Sequence, residues 1–188
     1  HLIIVGDLLK FTGERAKTFE IFIQLGAICG VVWFYREKLL ALARGLNDGV
    51  SQRLVLNLFI AFVPAAIAGL ALYGLIKTHL FNPVTVAAAL IVGGLAILLI
   101  ERLPRRARIT HLEALGPADA LKVGLAQTLS LFPGVSRAGA TIMGGLLAGL
   151  SRTTATEFSF FLAIPTMFAA TLYDLYKSRS LLQLQDGV

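Results

Sequence analysis

Residues 132–141 read Phe-Pro-Gly-Val-Ser-Arg-Ala-Gly-Ala-Thr: a proline, several small residues, a serine and an arginine, placed where the flanking apolar runs would otherwise continue as one helix. Proline supplies no backbone donor and glycine lets the chain turn, so Pro133-Gly134 ends one helix and leaves the first N–H groups of the next without acceptors. Around this break, Ala118 to Leu150 falls into two apolar pieces of about a dozen residues, each too short to cross a bilayer. The pattern predicts a re-entrant pair of broken helices. Backbone that leaves helical geometry at membrane depth must be buried in protein or line a wet cavity, because lipid satisfies no bare N–H or C=O group. The tip of the pair is therefore expected to mark a cavity.

The remainder of the chain reads as membrane-embedded. Of 188 residues, 56% are hydrophobic and 15% charged, and the mean hydropathy is +0.77, well above what a soluble core of this size requires. Phe19 to Phe34, Leu54 to Ile76, Val84 to Ile100 and Phe158 to Tyr176 each approach the roughly 20 apolar residues that span a bilayer. A soluble helical core would show amphipathic helices, whereas Val84 to Ile100 carries no charge on any face. The fold class is an all-α integral membrane protein, a polytopic helical bundle. Gly26 and Gly30, and the pair Gly93-Gly94, predict close helix packing. Glu20 and Gln24 share one face of the first span and are expected to point inward, as a packing hydrogen bond or as a cavity wall.

The formal charge of +6 could suggest a nucleic-acid partner, but the basic residues gather between spans. Arg36, Lys38, Arg44 and Arg53 occupy one loop and Arg102, Arg105, Arg106 and Arg108 another, against Lys77 alone before Pro83. That asymmetry is an orientation signal, not a nucleic-acid face. It places both basic loops in the cytoplasm and residues 1–18 outside, with Lys10, Arg15 and Lys17 pulling weakly the other way. The single Cys29 excludes an intrachain disulfide and a Cys-cluster metal site. No signal peptide is visible and the chain opens on His1, so it is expected to begin inside a longer one.

The break also carries chemistry. Helix N-termini attract phosphate through oriented donors and the macrodipole, and Arg137 adds a planar guanidinium fork suited to phosphate oxygens. Ser136 and Thr141 offer hydroxyls to the same oxygens, and one of them could attack phosphorus. The competing structural reading makes Ser136 an ordinary N-cap and Arg137 a snorkelling side chain. The convergence of Gly-Val-Ser-Arg with a hydroxyl five residues after Ser136, all at a helix break, favours the anion site. A nucleophile elbow is excluded because Ala138 stands where Gly-x-Ser-x-Gly needs its second glycine. A P-loop is excluded because no Gly-Lys-Ser/Thr triplet occurs. Lipid phosphatases with a histidine nucleophile show Ser-Arg and, after five residues, His; Ser136-Arg137 leads instead to Met143, and Ser151-Arg152 to Phe158. His79 and His111 read as interfacial without metal-ligand spacing, Glu157 as a first-turn helix residue, and Arg152 as an interfacial anchor.

The stretch QTLSLFPGVSRAGATIMGGLLAGLSRTTATEFSFFLAIP, Gln127 to Pro165, closely resembles the second signature region of the undecaprenyl-pyrophosphate phosphatases, the bacitracin-resistance membrane phosphatase family with its Pro-Gly-x-Ser-Arg-Ser-Gly-x-Thr motif. HLIIVGDLLKF, from His1, resembles the stretch that follows the family's first signature, and AKTFEIFIQLGAICGVVWF resembles the next span. The resemblance implies an inverted-topology repeat whose broken tips meet near the midplane. Residues 1–100 are then the remainder of the first repeat, and 101–188 the start of the second with its motif loop at 118–150. It implies catalytic roles for Ser136, His1, Arg137 and Thr141, and substrate binding by Gly134, Ser136, Arg137, Gly139 and Thr141. It leaves the nucleophile open between Ser136 and His1. Ala138 departs from the pattern, which has serine there. Also implied are a divalent cation, Mg²⁺ or Ca²⁺, on glutamates expected to precede His1, so that no metal ligand is named in this chain. The partner is a polyprenyl pyrophosphate lipid, a homodimer is admitted, and the location is the bacterial cytoplasmic (inner) membrane, crossed several times. The activity implied is hydrolysis of undecaprenyl pyrophosphate, which recycles the carrier for cell-wall synthesis and confers bacitracin resistance. Opposed broken helices are also a transport architecture, so the alternative is a polyprenyl-phosphate flippase.

Overall fold

The computed structural model describes residues 23, 26–80, 82–104 and 106–178, and every regular element in them is helical. Residues 26–34 are helical and lead into α1, Arg36–Arg44. There follow α2, Gly49–His79; α3, Pro83–Arg102; α4, Pro117–Thr128; α5, Arg137–Leu147; and α6, Arg152–Ser178. Short 3₁₀ turns at Leu112–Ala114 and Leu129–Leu131 precede and follow α4.

Three of these helices are long and apolar enough to cross a membrane: Gly49–Leu72, Pro83–Arg102 and Arg152–Tyr173. They answer to three of the four spans read from hydropathy; most of the first, from Phe19, lies outside the described residues. Helix α3 begins where Asn82 accepts from the Thr85 N–H at 2.8 Å and proline fills the first turn. Helix α6 starts six residues before the apolar run that predicted it, so Glu157 sits in its second turn and not its first. The early start is stabilised from outside the helix. The Lys38 ammonium pairs with Glu157, and Arg152 donates to the Glu101 carboxylate at 2.7 Å.

Helices α2, α4, α5 and α6 share one core around Ala61, Val123, Met143, Leu146, Phe158 and Leu162. Because lipid is as apolar as leucine, such helices associate by close van der Waals approach, and small residues permit it. The residues that do so are not the ones the sequence suggested. Among the described residues, a Cβ at Gly26, Gly30, Gly93 or Gly94 would meet nothing within 4 Å. Gly124, by contrast, lies against the Ala61 backbone, Gly144 against the Ala126 methyl, and a Cβ at Gly145 would stand 2.9 Å from that of Ala155. Packing glycines thus join α4 to α2, α5 to α4 and α6 to α5. Among the described residues nothing covers the α3 face bearing Gly93 and Gly94, and Ile91, Val92 and Leu95 are exposed beside it.

The broken pair predicted between Ala118 and Leu150 is present as α4 and α5, of 12 and 11 residues. Its root is closed by backbone. The Arg108 and Ile109 N–H groups both donate to Gly149 O, at 2.9 and 3.1 Å, and the Ser151 N–H donates to Ile109 O at 2.7 Å. Arg108 also donates to Ala148 O at 2.8 Å and pairs with Asp119 in the first turn of α4. Both ends of the pair therefore lie on the side of the basic loop that follows α3. Twelve α-helical residues and a three-residue 3₁₀ turn carry the chain about 24 Å from root to tip. There Gly134 rests on the first turn of α3, where a Cβ would stand 2.5 Å from Val86 O and 2.9 Å from the Ala89 methyl. The turn at Gly134 thus rests against the N-terminal turn of α3.

Candidate functional site at the hairpin tip

At the tip the chain turns through Phe132 to Val135, closed by the Val135 N–H donating to Phe132 O at 3.0 Å. Gly134 takes φ +99°, a conformation that side chains rarely adopt. Ser136 is extended and caps α5, its Oγ accepting from the Gly139 N–H at 3.1 Å, while the Ala140 N–H donates to Ser136 O at 2.8 Å. Of the four N–H groups that helix geometry leaves without an intrahelical acceptor, the Gly139 one goes to the cap, and those of Arg137 and Ala138 stand beside it at the head of α5. Ser136 is exposed, and its hydroxyl proton remains available beyond the cap. The cap and the candidate nucleophile are one residue; the two readings made from sequence do not exclude each other. Gly139 keeps this turn close to α3, where a Cβ would meet Ile97 Cδ1 at 3.4 Å.

Arg137 does not snorkel. Its Nη1 donates to Ser159 O at 2.9 Å, and its Nη2 lies 3.7 Å from Met167 Sδ. A guanidinium offers five N–H donors, and a thioether is a weak acceptor. Among the described residues no carboxylate pairs with it, so much of its hydrogen-bonding capacity and its whole charge remain for an anion.

Thr141 lies one turn into α5. It is fully buried, and its Oγ1 lies 3.0 Å from Arg137 O, 3.2 Å from Ala138 O and 2.6 Å from Ser159 Oγ. A hydroxyl has one proton, and every partner of this one is protein. Thr141 therefore joins α5 to α6 through its hydroxyl. The reason is helical phase: four residues after Arg137, Thr141 sits over the same carbonyl that a threonine in a helix readily takes.

Two residues not singled out from sequence complete the seam between the hairpin and α6. Ser159, 1% exposed, touches both Arg137 and Thr141. Gln127, fully buried at the end of α4, has its Oε1 3.4 Å from Thr166 Oγ1, whose own proton goes to Leu162 O at 2.7 Å. A polar side chain inside an apolar span is the signal that could have found both, since such groups face the bundle interior.

His1, Glu20 and Gln24 lie outside the described residues. His79 closes α2, and His111 is exposed before the first 3₁₀ turn. Among the described residues no three His, Cys, Asp or Glu side chains come together, so the divalent cation finds no ligand set in them. A cavity of about 660 Å³ opens at the root, lined by Tyr35, Lys38, Arg152 and Glu157 among others. The tip itself presents Ser136 on an open surface.

Residues 1–187 match the family described as bacitracin resistance protein BacA. The undecaprenyl-diphosphatase of Methylobacillus flagellatus is 59% identical over 191 residues, covering 99% of this chain and 71% of that protein. Those of Nitrosospira multiformis and Dechloromonas aromatica are 58% and 57% identical, with 100% and 99% of this chain matched to 69% and 68% of theirs.

Proposed function

The chain belongs to the bacitracin resistance protein BacA family, and from that premise we propose that it is an integral membrane phosphatase. It removes the terminal phosphate of undecaprenyl pyrophosphate and so returns the lipid carrier to cell-wall synthesis. The observation that carries this reading is the juxtaposition at the head of α5: first-turn amides, an exposed serine hydroxyl and a guanidinium that no carboxylate among the described residues neutralises. The diphosphate binds across the Arg137 and Ala138 amides and the guanidinium, and these donors favour most strongly the charge that develops on the transferring phosphoryl group. Gly134 and Gly139 keep the turn compact against α3. The Ser136 oxygen attacks the terminal phosphorus and the bond to the bridging oxygen breaks, releasing undecaprenyl phosphate; water then frees the phosphate. In the competing assignment His1 attacks or positions that water. Thr141 joins α5 to α6 through its hydroxyl.

The tip lies at the end of α3 away from the basic loops. With those loops in the cytoplasm of a multi-pass inner-membrane protein, the head group is met from the outer side, its polyprenyl tail lying along the apolar face of α3. The two-repeat division at residues 100/101 belongs to this proposal, as does the divalent cation, through which no step is routed. A homodimer would cover the Gly93-Gly94 face, and cross-linking within the membrane reads it. No specific observation favours the flippase.

The test is phosphate release from undecaprenyl pyrophosphate by the purified full-length protein, beside Ser136→Ala and Arg137→Ala, with and without chelator. Release lost in Arg137→Ala and in chelator supports a metal-assisted phosphatase, and the residual Ser136→Ala rate tells nucleophile from ligand. A folded, lipid-binding protein that releases no phosphate would sink it.

A further inference from the structure

We propose that Ser159 is a positioning residue for the phosphate site, holding Arg137 in register through two separate bonds; this rests on the phosphatase reading above. Helix α5 is only 11 residues long, so its first turn has little length with which to resist sliding or rotating against α6. Ser159 meets that turn twice. Its carbonyl oxygen accepts from Arg137 Nη1 at 2.9 Å, and its hydroxyl lies 2.6 Å from that of Thr141. Thr141 in turn holds the Arg137 carbonyl at 3.0 Å. The contacts close a ring: Arg137 backbone, Thr141 hydroxyl, Ser159 hydroxyl, Ser159 carbonyl, Arg137 guanidinium. Both ends of the arginine are thereby referred to one residue of α6.

The ring is dry. Thr141 and Ser159 are 0% and 1% exposed, so no water replaces the bond between their hydroxyls when one is removed, and Thr141 is left with only the carbonyls of its own helix. A small buried serine between Phe158 and Phe160 would otherwise pass as packing. What separates the two roles is that Ser159 grips the arginine side chain and the residue bonded to that arginine's backbone, on a different helix from both. Removing the hydroxyl frees the first turn of α5, and the guanidinium loses alignment with the diphosphate while the apolar core stays intact.

The experiment uses the purified full-length protein in detergent with undecaprenyl pyrophosphate, and reads kcat, KM and thermal midpoint. Ser159→Ala and Thr141→Val, which break the same bond from opposite helices, are each expected to lower kcat/KM about tenfold, the activity equivalent of one buried hydrogen bond. Their double variant should fall no further than either single one. Thr141→Ser, which keeps the hydroxyl, should retain wild-type kcat/KM within about threefold. In an Arg137→Lys background, Ser159→Ala should cost almost nothing more, because its effect passes through the guanidinium. An equal loss in both backgrounds, or wild-type activity in folded Ser159→Ala and Thr141→Val, overturns the proposal. Full activity in Arg137→Ala would instead overturn the phosphatase site, a result that Ser159 variants cannot imitate.

Discussion

The chain makes the same turn twice. Gly134-Val135-Ser136-Arg137 and Gly149-Leu150-Ser151-Arg152 both place a glycine at positive φ, +99° and +91°, then a serine that caps the next helix, then an arginine at its first position. The caps agree closely: Ser136 Oγ takes the Gly139 N–H at 3.1 Å, and Ser151 Oγ takes the Thr154 N–H at 3.2 Å. Local chemistry is thus duplicated, and the difference lies in what surrounds it. The first glycine rests on the α3 backbone, the second on the Arg108 side chain. Arg152 is 65% exposed and answered by Glu101, whereas Arg137 is turned inward onto a carbonyl and a thioether. A cap and an arginine at a helix head therefore do not make an anion site. The proposed site has its arginine held, partly desolvated and, among the described residues, without a counter-charge.

The largest effect that could break this contrast is on catalysis. Arg137→Ala is expected to lower kcat by about 10²–10³, the cost of removing a donor aimed at developing charge, whereas Arg152→Ala should stay within about threefold, as a surface pair does. Equal losses in steady-state phosphate release would mean that both turns serve the reaction. Next comes the backbone. Gly134→Ala adds strain at positive φ and a methyl against the immovable Val86 carbonyl, on the order of 3 kcal/mol. Gly149→Ala meets a flexible arginine side chain and should cost about 1 kcal/mol. Denaturation midpoints of the two variants in one detergent separate them, and similar shifts would show that the neighbour does not matter.

A smaller effect sharpens the root. Burial pushes the Asp119 carboxyl up, but hydrogen bonds from Arg108 and Lys122, with their charges, outweigh it and hold the group below the usual carboxylate range. Its folded pKa is depressed, so the stability it contributes is present above the unfolded value of about 4 and is lost as pH falls through the folded one. The thermal midpoint of the protein should decline as pH drops below about 4, and Asp119→Asn should flatten that decline. Least of all, Glu101→Gln is expected to change stability by less than about 1 kcal/mol, because its pair with Arg152 is solvent-screened. A larger shift would give the second arginine a structural weight the contrast denies it.

Much was legible before the fold. Helices α2 and α3 follow from apolar runs, since a bilayer selects continuous hydrophobicity and nothing distant is needed to read it. The break at Pro133-Gly134 follows from backbone chemistry alone. Helix α6 was read too short, because its first turns carry Arg152, Thr153, Thr156 and Glu157, polar residues supported by Lys38 and Glu101 from elsewhere in the chain. Gly93-Gly94 looked like a packing seam and meets nothing among the described residues, whereas Gly124 and Gly144 pack closely; spacing tells that a helix is thin there, not what stands opposite.

The sequence by itself determined that this chain crosses a membrane, that its motif interrupts a helix, and that a serine and an arginine stand at the restart, because each depends on the residue and its near neighbours. Tertiary structure decided which of two like turns keeps a free positive charge, that Thr141 faces inward, and that Ser159 and Gln127 belong to the same seam. Those outcomes are set by which helix lies across from which, a relation between residues far apart in the chain that local spacing does not encode.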